Sequence, residues 1–280
     1  MTAQGKLAAV IGWPVRQSVS PVLHSHWLRE HGIKGAYVPL PIEPANFGRC
    51  VAAMPLMGFA GASVTVPHKE AAFALASSLD EDSRATGAVN TLVFDGEIIA
   101  GLNTDVRGFA ASLAETLGPD VARRGPAVVL GAGGAARAIV LALQRAGCQE
   151  IRVINRTPAR ADALARSASG GAIRPMPWGG WKAGLADAGL LVNTTSLGMT
   201  GKPALEIELE FLPRSAAVAD IVYNPLETDL LRAAKAEGHR TMDGLGMLMH
   251  QAVPAFAAWF GVTPKVTPQL RAELERALGG

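Results

Sequence analysis

The stretch PAVVLGAGGAARAIVLALQRAG, residues 126–147, constrains the fold more than any other part of the chain. Val128, Val129 and Leu130 form a run without a polar residue, as a strand covered on both faces of a sheet does. GAGGAA (131–136) then fits the pattern G-x-G-x-x-A, and a run of good helix formers follows. Strand, glycine turn and helix in that order make the core of a dinucleotide-binding unit. In such a unit Gly131 permits the tight turn, Gly133 lets backbone approach a pyrophosphate, and Ala136 keeps helix and strand close. The free N–H groups and positive dipole end of the helix face the phosphates.

The next strand, IRVINR (151–156), sharpens this reading. A site for NAD places a carboxylate at the end of this strand, where it binds a ribose hydroxyl. Here the strand ends in Asn155, followed by Arg156, with Arg160 four residues on. A carboxylate would repel a 2′-phosphate, whereas a guanidinium binds it through a planar fork of donors. With Thr157 as the cap of a helix, Arg160 shares a face with Arg156. The pair points to NADP as the cofactor rather than NAD.

Strands and helices alternate on either side of this unit. KLAAVIG (6–12), AYVPLPI (36–42) and GASVTV (61–66) read as strands, with helices over 21–32 and around 44–54. TLVFDGEIIAG (91–101) reads as a hairpin about Asp95-Gly96. A helix is predicted over 105–117. GLLVNT (189–194) and AAVADIV (216–222) are later strands, followed by an apolar helix over 245–260 and a polar one over 267–278. This grammar specifies an α/β chain of two α/β domains. Residues 1–104 form an N-terminal substrate-binding and catalytic domain with a mostly parallel sheet. Residues 105–244 form a Rossmann-type NADP-binding domain, and the helices of 245–280 are expected to pack back on the first domain.

Composition removes other classes. Of 280 residues, 49% are apolar and 18% charged, which suits a compact soluble protein rather than a disordered one. A net charge of +2, from 26 basic and 24 acidic residues, gives no case for nucleic acid or an anionic membrane as partner. No apolar run approaches membrane-spanning length. Cys50 and Cys148 form no CxxC pair, which argues against a zinc cluster and fits a reducing compartment. MTAQGKLAAVIGWP reads as a first strand rather than a signal peptide, so the expected location is the cytoplasm. His24 and His26 fall on different sides of a helix and make no metal site. Trp13, Trp27 and Trp259 are read as core or interface residues. The expected state is a monomer or homodimer.

Polar residues gather at the ends of the first domain's apolar runs. They are Ser18 and Ser20 in QSVSP, Thr65 and Lys69 in SVTVPHKE, Asn90 in GAVNT and Asp105 in NTD. Open α/β sheets bind ligands beyond the carboxyl ends of their strands. Hydroxyls, an amide, an ammonium and a carboxylate there suit a small polyhydroxylated acid.

QSVSP, VTVPHKE, GAVNT, NTD, GAGGAAR, NRT, NTTSLGM, VYNP and DGLGMLMHQ resemble, in order, the motifs of the shikimate dehydrogenase family, and they span residues 18–251. The resemblance implies NADP-dependent, reversible reduction of 3-dehydroshikimate to shikimate on the route to chorismate and aromatic amino acids. It implies that Ser18 and Ser20 bind the substrate carboxylate. Thr65, Asn90 and Gln251 match residues that bind its hydroxyls, and Tyr223 matches another substrate contact. Lys69 and Asp105 match the catalytic pair. Gly131, Ala132, Gly133, Gly134 and Ala135 match the pyrophosphate loop, and Asn155, Arg156, Thr157 and Arg160 the 2′-phosphate segment. Thr194, Ile221, Met242 and Gly244 fall where the family lines the nicotinamide side, and Glu81 where some members touch the cofactor. Ser63 departs from the asparagine that the family often has there.

The chemistry needs such residues. Oxidising a secondary alcohol sends a hydride to nicotinamide and leaves a proton, which a group within hydrogen-bond reach must take. Lys69 is the candidate; which partner holds the proton is open, so the role is written for the Lys69–Asp105 pair. Charged lysine would also stabilise the alkoxide that develops during reduction. Two other readings stand beside this one. A quinate/shikimate dehydrogenase of dual specificity would accept an extra ring hydroxyl, but two serines at 18 and 20 look like shikimate selectivity. A non-catalytic shikimate sensor would have no need of Lys69, Asp105 and the glycine turn together.

Overall fold

The computed structural model describes residues 5–167 and 172–279. The chain divides into two compact units, Met1–Thr104 with Gln251–Gly280, and Asp105–His250. Each contains a six-stranded sheet.

The first unit opens with β1 (Lys6–Gly12), α1 (Ser20–Glu30), β2 (Gly35–Pro41), α2 (Phe47–Ala53) and β3 (Phe59–Val64). β1 runs parallel between β2 and β3, and its Ala8, Ala9, Val10 and Ile11 are buried, as a central parallel strand requires. α3 (Lys69–Leu75), β4 (Ser78–Leu79), α4 (Glu81–Thr86), β5 (Thr91–Asp95) and β6 (Ile98–Leu102) follow. Asp95 pairs with Ile98, so the hairpin turn centres on Gly96 and Glu97, one residue later than Asp95-Gly96. Gly96 has φ +58°, and glycine at the first central position lets the turn match the strands' twist. The reversal leaves β5 antiparallel to β3, and the order is β2-β1-β3-β5-β6-β4.

The second unit contains α5 (Asp105–Leu117), β7 (Ala127–Leu130), α6 (Gly134–Arg145), β8 (Glu150–Asn155), α7 (Pro158–Ser167) and β9 (Ala172–Pro177). It continues with α8 (Trp181–Leu185), β10 (Leu190–Asn193), β11 (Ala217–Asp220), α9 (Asp229–Ala236) and β12 (Arg240–Met242). All six strands are parallel, in the order β12-β11-β10-β7-β8-β9. Counted within the unit, this is the 3-2-1-4-5-6 order of a doubly wound dinucleotide fold, with its switch point between β7 and β10. Helix α6 presents Ala136, Ile139, Val140 and Leu143 to the core at helical spacing. β9 carries no strand signal in the sequence, because Arg174, Pro175 and Pro177 interrupt it. It forms at the edge of the sheet, where proline is tolerated. Beside it, Arg152 on β8 is buried and held by Glu150 at 2.7 Å, by the Gly184 carbonyl at 2.8 Å and by Asp187.

Two helices end the chain, α10 (Gly244–Phe260) and α11 (Pro268–Gly279). Within the first unit, the Trp259 indole donates to the Leu92 carbonyl at 2.9 Å and the Trp27 indole to that of Lys265 at 3.1 Å. Glu273 on α11 accepts from His26 at 2.7 Å and from Arg29 at 2.6 Å, both on α1. His24 turns the other way, into the core. It stacks on Tyr37 with ring centroids 4.0 Å apart, among Trp27, Phe256 and Trp259. Neither of its ring nitrogens has a hydrogen-bond partner among the described residues. Burial pushes its pKa down to about 3, so it is neutral. Trp27 and Trp259 are core residues, but Trp13 is 44% exposed and belongs to no core. Among the described residues no helix is long and apolar enough to cross a membrane.

Candidate substrate and cofactor sites

In the first unit the polar candidates stand at strand and helix ends, and several bond to one another. Ser20 is the buried first residue of α1, and Ser18 lies two residues before it. The Ser18 hydroxyl donates to that of Ser20 at 3.1 Å and accepts from the Ser20 N–H at 3.3 Å. Beyond that bond to the Ser20 N–H no side chain caps α1, so its positive dipole end stands beside two hydroxyls. That is a local environment suited to a carboxylate.

Asn90 and Gln251 lie far apart in sequence, yet the Asn90 amide donates to Gln251 Oε1 at 3.2 Å. Thr104 joins them: its hydroxyl accepts from Asn90 Nδ2 at 2.9 Å and contacts Gln251 Oε1 at 3.2 Å. Asn90 Oδ1 in turn accepts from the Thr104 N–H at 2.8 Å and from Thr91 at 3.2 Å. All four side chains are buried. Buried amides of this kind need full hydrogen bonding, and the network fixes which way each one points.

Lys69 is the first residue of α3 and is half-buried, and Thr65 is half-buried four residues before it. The segment between them is pinned. The His68 N–H donates to the Thr65 carbonyl at 3.0 Å. The buried His68 ring meets the Ile42 carbonyl at 2.7 Å and stacks on Phe47 at 4.7 Å. Because the carbonyl only accepts, His68 Nε2 donates in this contact. Ser63, on β3, is buried. Asp105, 5% exposed, opens α5, where a carboxylate is favoured by the helix dipole.

In the second unit the candidate cofactor site is built on backbone. Gly131 follows β7 with φ +108°, and a Cβ there would stand 2.6 Å from Thr194 Oγ1. Only glycine meets both demands. Thr194 follows β10 and donates through its hydroxyl to the Leu130 carbonyl at 2.6 Å. The turn and Thr194 therefore meet at the switch point of the sheet. A Cβ on Gly133 would meet nothing within 4 Å, and no side chain caps the helix that Gly134 begins. Open space before uncapped N–H groups fits a pyrophosphate. Ala132 and Ala136 are buried beneath, and Ala135 is half-buried.

At the end of β8, Asn155 Nδ2 donates to the Thr157 carbonyl at 2.8 Å and shapes the loop. Arg156, Thr157 and Arg160 are exposed, and 155–160 holds no acidic residue. These residues fit a phosphorylated ribose. Further along the crest, the Gly244 N–H donates to the Val222 carbonyl at 3.3 Å, and a Cβ on Gly244 would collide with the Ile221 carbonyl. Met242 is buried at the end of β12, and Tyr223 is half-buried in the loop after β11. Glu81 is exposed in the first turn of α4, in the first unit.

Other polar residues stand at these strand and helix ends. Thr91 and Thr104 complete the Asn90 network, and His68 anchors the turn before Lys69. Asn193 and Asp220, the last residues of β10 and β11, are fully buried. Their signal was present, since each is a polar residue closing an apolar run, as Asn90 and Asp105 are.

Comparison with known proteins identifies the family and the fold. Residues 10–92 match the family described as shikimate dehydrogenase substrate binding domain, and residues 112–200 the family described as shikimate / quinate 5-dehydrogenase. The NADP(+) shikimate dehydrogenase of Acidiphilium cryptum is 56% identical over 271 residues, covering 96% of each chain. That of Methylobacterium radiotolerans is 54% identical and covers 98% of each. Among solved structures, the shikimate 5-dehydrogenase of Thermus thermophilus in complex with NADP(H) and shikimate superposes with a TM-score of 0.86 at 36% identity. It covers 98% of this chain and all (100%) of that one. The quinate dehydrogenase of Corynebacterium glutamicum in complex with NAD superposes with a TM-score of 0.88 at 32% identity, covering 96% and 98%. Identity above one half across nearly the full length, on a fold that carries both the glycine turn and the polar strand ends, places this chain in the shikimate dehydrogenase family.

Proposed function

We propose that the chain reduces 3-dehydroshikimate to shikimate, reversibly and with NADP, in the biosynthesis of chorismate and the aromatic amino acids. One observation carries the reading: full-length relatives at 54–56% identity are NADP(+) shikimate dehydrogenases. The quinate dehydrogenase with NAD is a more distant relative, at 32% identity, and does not favour the dual-specificity reading. We place the protein in the cytoplasm, as a monomer or homodimer.

Residues 1–104 with the C-terminal helices bind the substrate. The hydroxyls of Ser18 and Ser20, at the uncapped start of α1, receive its carboxylate. Thr65, Asn90 and Gln251 bind ring hydroxyls, and Tyr223 adds a further contact. The Gln251 oxygen is held by Asn90 and Thr104, which fixes the orientation of its amide.

Residues 105–244 hold NADP. Gly131, Ala132, Gly133, Gly134 and Ala135 receive the pyrophosphate. Asn155, Arg156, Thr157 and Arg160 receive the 2′-phosphate. Thr194, Ile221, Met242 and Gly244 form the nicotinamide side, and Glu81 is a further cofactor contact. When bound, the cofactor would supply a hydride as NADPH in the direction of reduction and accept one as NADP in the direction of oxidation. Lys69 and Asp105 handle the proton of the reacting oxygen, and the lysine ammonium stabilises negative charge on that oxygen during reduction.

The test is absorbance at the reduced-nicotinamide band after mixing the protein with shikimate or quinate, each with NADP or NAD. Rapid reduction with shikimate and NADP alone is expected. Equal rates with NAD would remove the role of Arg156 as phosphate reader. Equal rates with quinate would restore the dual-specificity enzyme, and no reduction with any pair would leave the sensor.

A further inference from the structure

Asn193 and Asp220 pair in register as the last residues of adjacent parallel strands, and neither has any exposed surface. Nothing assigned above uses them. A buried carboxylate is costly unless donors surround it, and an apolar pair of similar shape would serve packing as well. Among the described residues every hydrogen-bond partner of the Asp220 side chain is a donor. Oδ1 accepts from Asn193 Nδ2 at 3.0 Å and from the Val222 N–H at 3.0 Å, and Oδ2 accepts from the Thr228 hydroxyl at 2.8 Å. Asn193 extends the network in the other direction. Its Oδ1 accepts from the N–H and the hydroxyl of Thr195 at 3.0 and 2.8 Å, and its Nδ2 also reaches the Leu197 carbonyl at 3.2 Å.

One carboxylate thus ties together two loops, residues 194–197 after β10 and 221–228 after β11. A second stitch runs parallel to it. Thr200 donates through its N–H to the Asn224 carbonyl at 2.8 Å and through its hydroxyl to Asn224 Oδ1 at 2.9 Å. Thr194 lies in the first loop, Ile221 and Tyr223 in the second. These loops leave the carboxyl ends of strands at the crest where a doubly wound sheet binds its ligand.

We propose that Asp220 is a positioning residue that, through Asn193 and Val222, fixes the two loops lining the nicotinamide end of the cofactor site. The proposal rests on the assignment of Thr194 and Ile221 to that end. Asp220 acts through the loops and touches no reacting atom.

Asp220→Asn keeps the size, removes the charge and sets an N–H₂ among groups that already donate. Two ligands separate the ends of the site: NADPH, and adenosine 2′,5′-bisphosphate, which has the 2′-phosphate and no nicotinamide. In Asp220→Asn, kcat for shikimate oxidation is expected to fall about tenfold to a hundredfold, the loss typical of misplaced reacting groups. The Kd for NADPH rises severalfold and that for the bisphosphate is unchanged. Equal weakening of both ligands would make Asp220 a general structural residue and overturn the proposal, as would unchanged kcat. Thr195→Val, which at a half-exposed position removes the hydroxyl that donates to Asn193 and accepts from the Leu197 N–H at 3.1 Å, is expected to show the same pattern more weakly. If Asp220→Asn does not fold, that variant decides, and unchanged kcat in it overturns the proposal. Failure of the wild-type protein to bind NADPH or turn over shikimate would be failure of the functional reading instead.

Discussion

The two units prepare for their ligands with different parts of the chain. In the first, the candidate groups are side chains that hold one another: Ser18 with Ser20, and Asn90 with Thr104 and Gln251. In the second, the candidate phosphate site is backbone, an uncapped helix end behind a glycine at φ +108°, rimmed by exposed arginines. The contrast follows from the ligands. A pyrophosphate is a diffuse anion that main-chain N–H groups and a helix dipole can meet without directional side chains. A ring of hydroxyls must be told from its isomers, and that takes donors and acceptors in fixed orientation. Substitutions in the first unit are therefore expected to act on specificity and chemistry, and those at the rim of the second on cofactor choice.

The largest effect belongs to Lys69. Removing a proton-handling group costs about 10²- to 10⁴-fold. Lys69→Ala is expected to lose that much in kcat, while its unfolding midpoint and its Kd for NADPH match the wild type. A variant with near-normal kcat would break the comparison, because the first unit would then bind without supplying chemistry. Arg156→Ala comes next. Charge-assisted hydrogen bonds contribute about 1.5–3 kcal/mol, so the KM for NADP is expected to rise roughly ten- to a hundredfold. The KM for NAD, which has no 2′-phosphate, stays where it was. Steady-state rates with both cofactors measure this directly, and parallel loss with NAD would mean that Arg156 shapes the loop rather than reads the phosphate.

The same contrast governs what could be read from the amino acids. The backbone site was legible, because a glycine turn leaves a trace in one short stretch: strand, turn, helix, next strand. The side-chain site was legible only as a scatter of polar strand ends, and its assembly depends on contacts between distant residues. Asn90 and Gln251 meet because residues 251–280 fold into the same unit as residues 1–104, which no local pattern reveals. Strands buried on both faces announced themselves as apolar runs, as in β1 and β7. The edge strand β9 did not, since an edge admits the prolines and arginine that erase the pattern. The hairpin turn lies one residue beyond the Asp95-Gly96 signal, because Asp95 favours a turn yet still pairs with Ile98. Asp220 was passed over within AAVADIV, where one acid in an apolar run looks like a strand's end rather than a hub of three hydrogen bonds.

The smallest predicted effect compares two buried titratable groups, one in each unit. Asp220 is surrounded by donors, while His24 is packed among rings with neither nitrogen bonded among the described residues. Burial pushes Asp220 up to about 6, from 3.8. Its folded state therefore holds the proton more tightly than the unfolded chain, and its contribution to stability falls as pH rises from about 4 through 6. Burial pushes His24 down to about 3, from 6.5. The unfolded chain then binds a proton that the folded state refuses, so stability is lost as pH falls from 6.5 toward 3. His24→Phe keeps the stack on Tyr37 and removes that liability. Relative to the wild type, it is expected to gain roughly 2 kcal/mol more stability at pH 5 than at pH 7.5, from the pKa difference alone. Denaturant unfolding at the two pH values measures the difference. An advantage that does not change with pH would mean that His24 meets water or a proton donor in solution, and the contrast between a satisfied and an unsatisfied buried group would disappear.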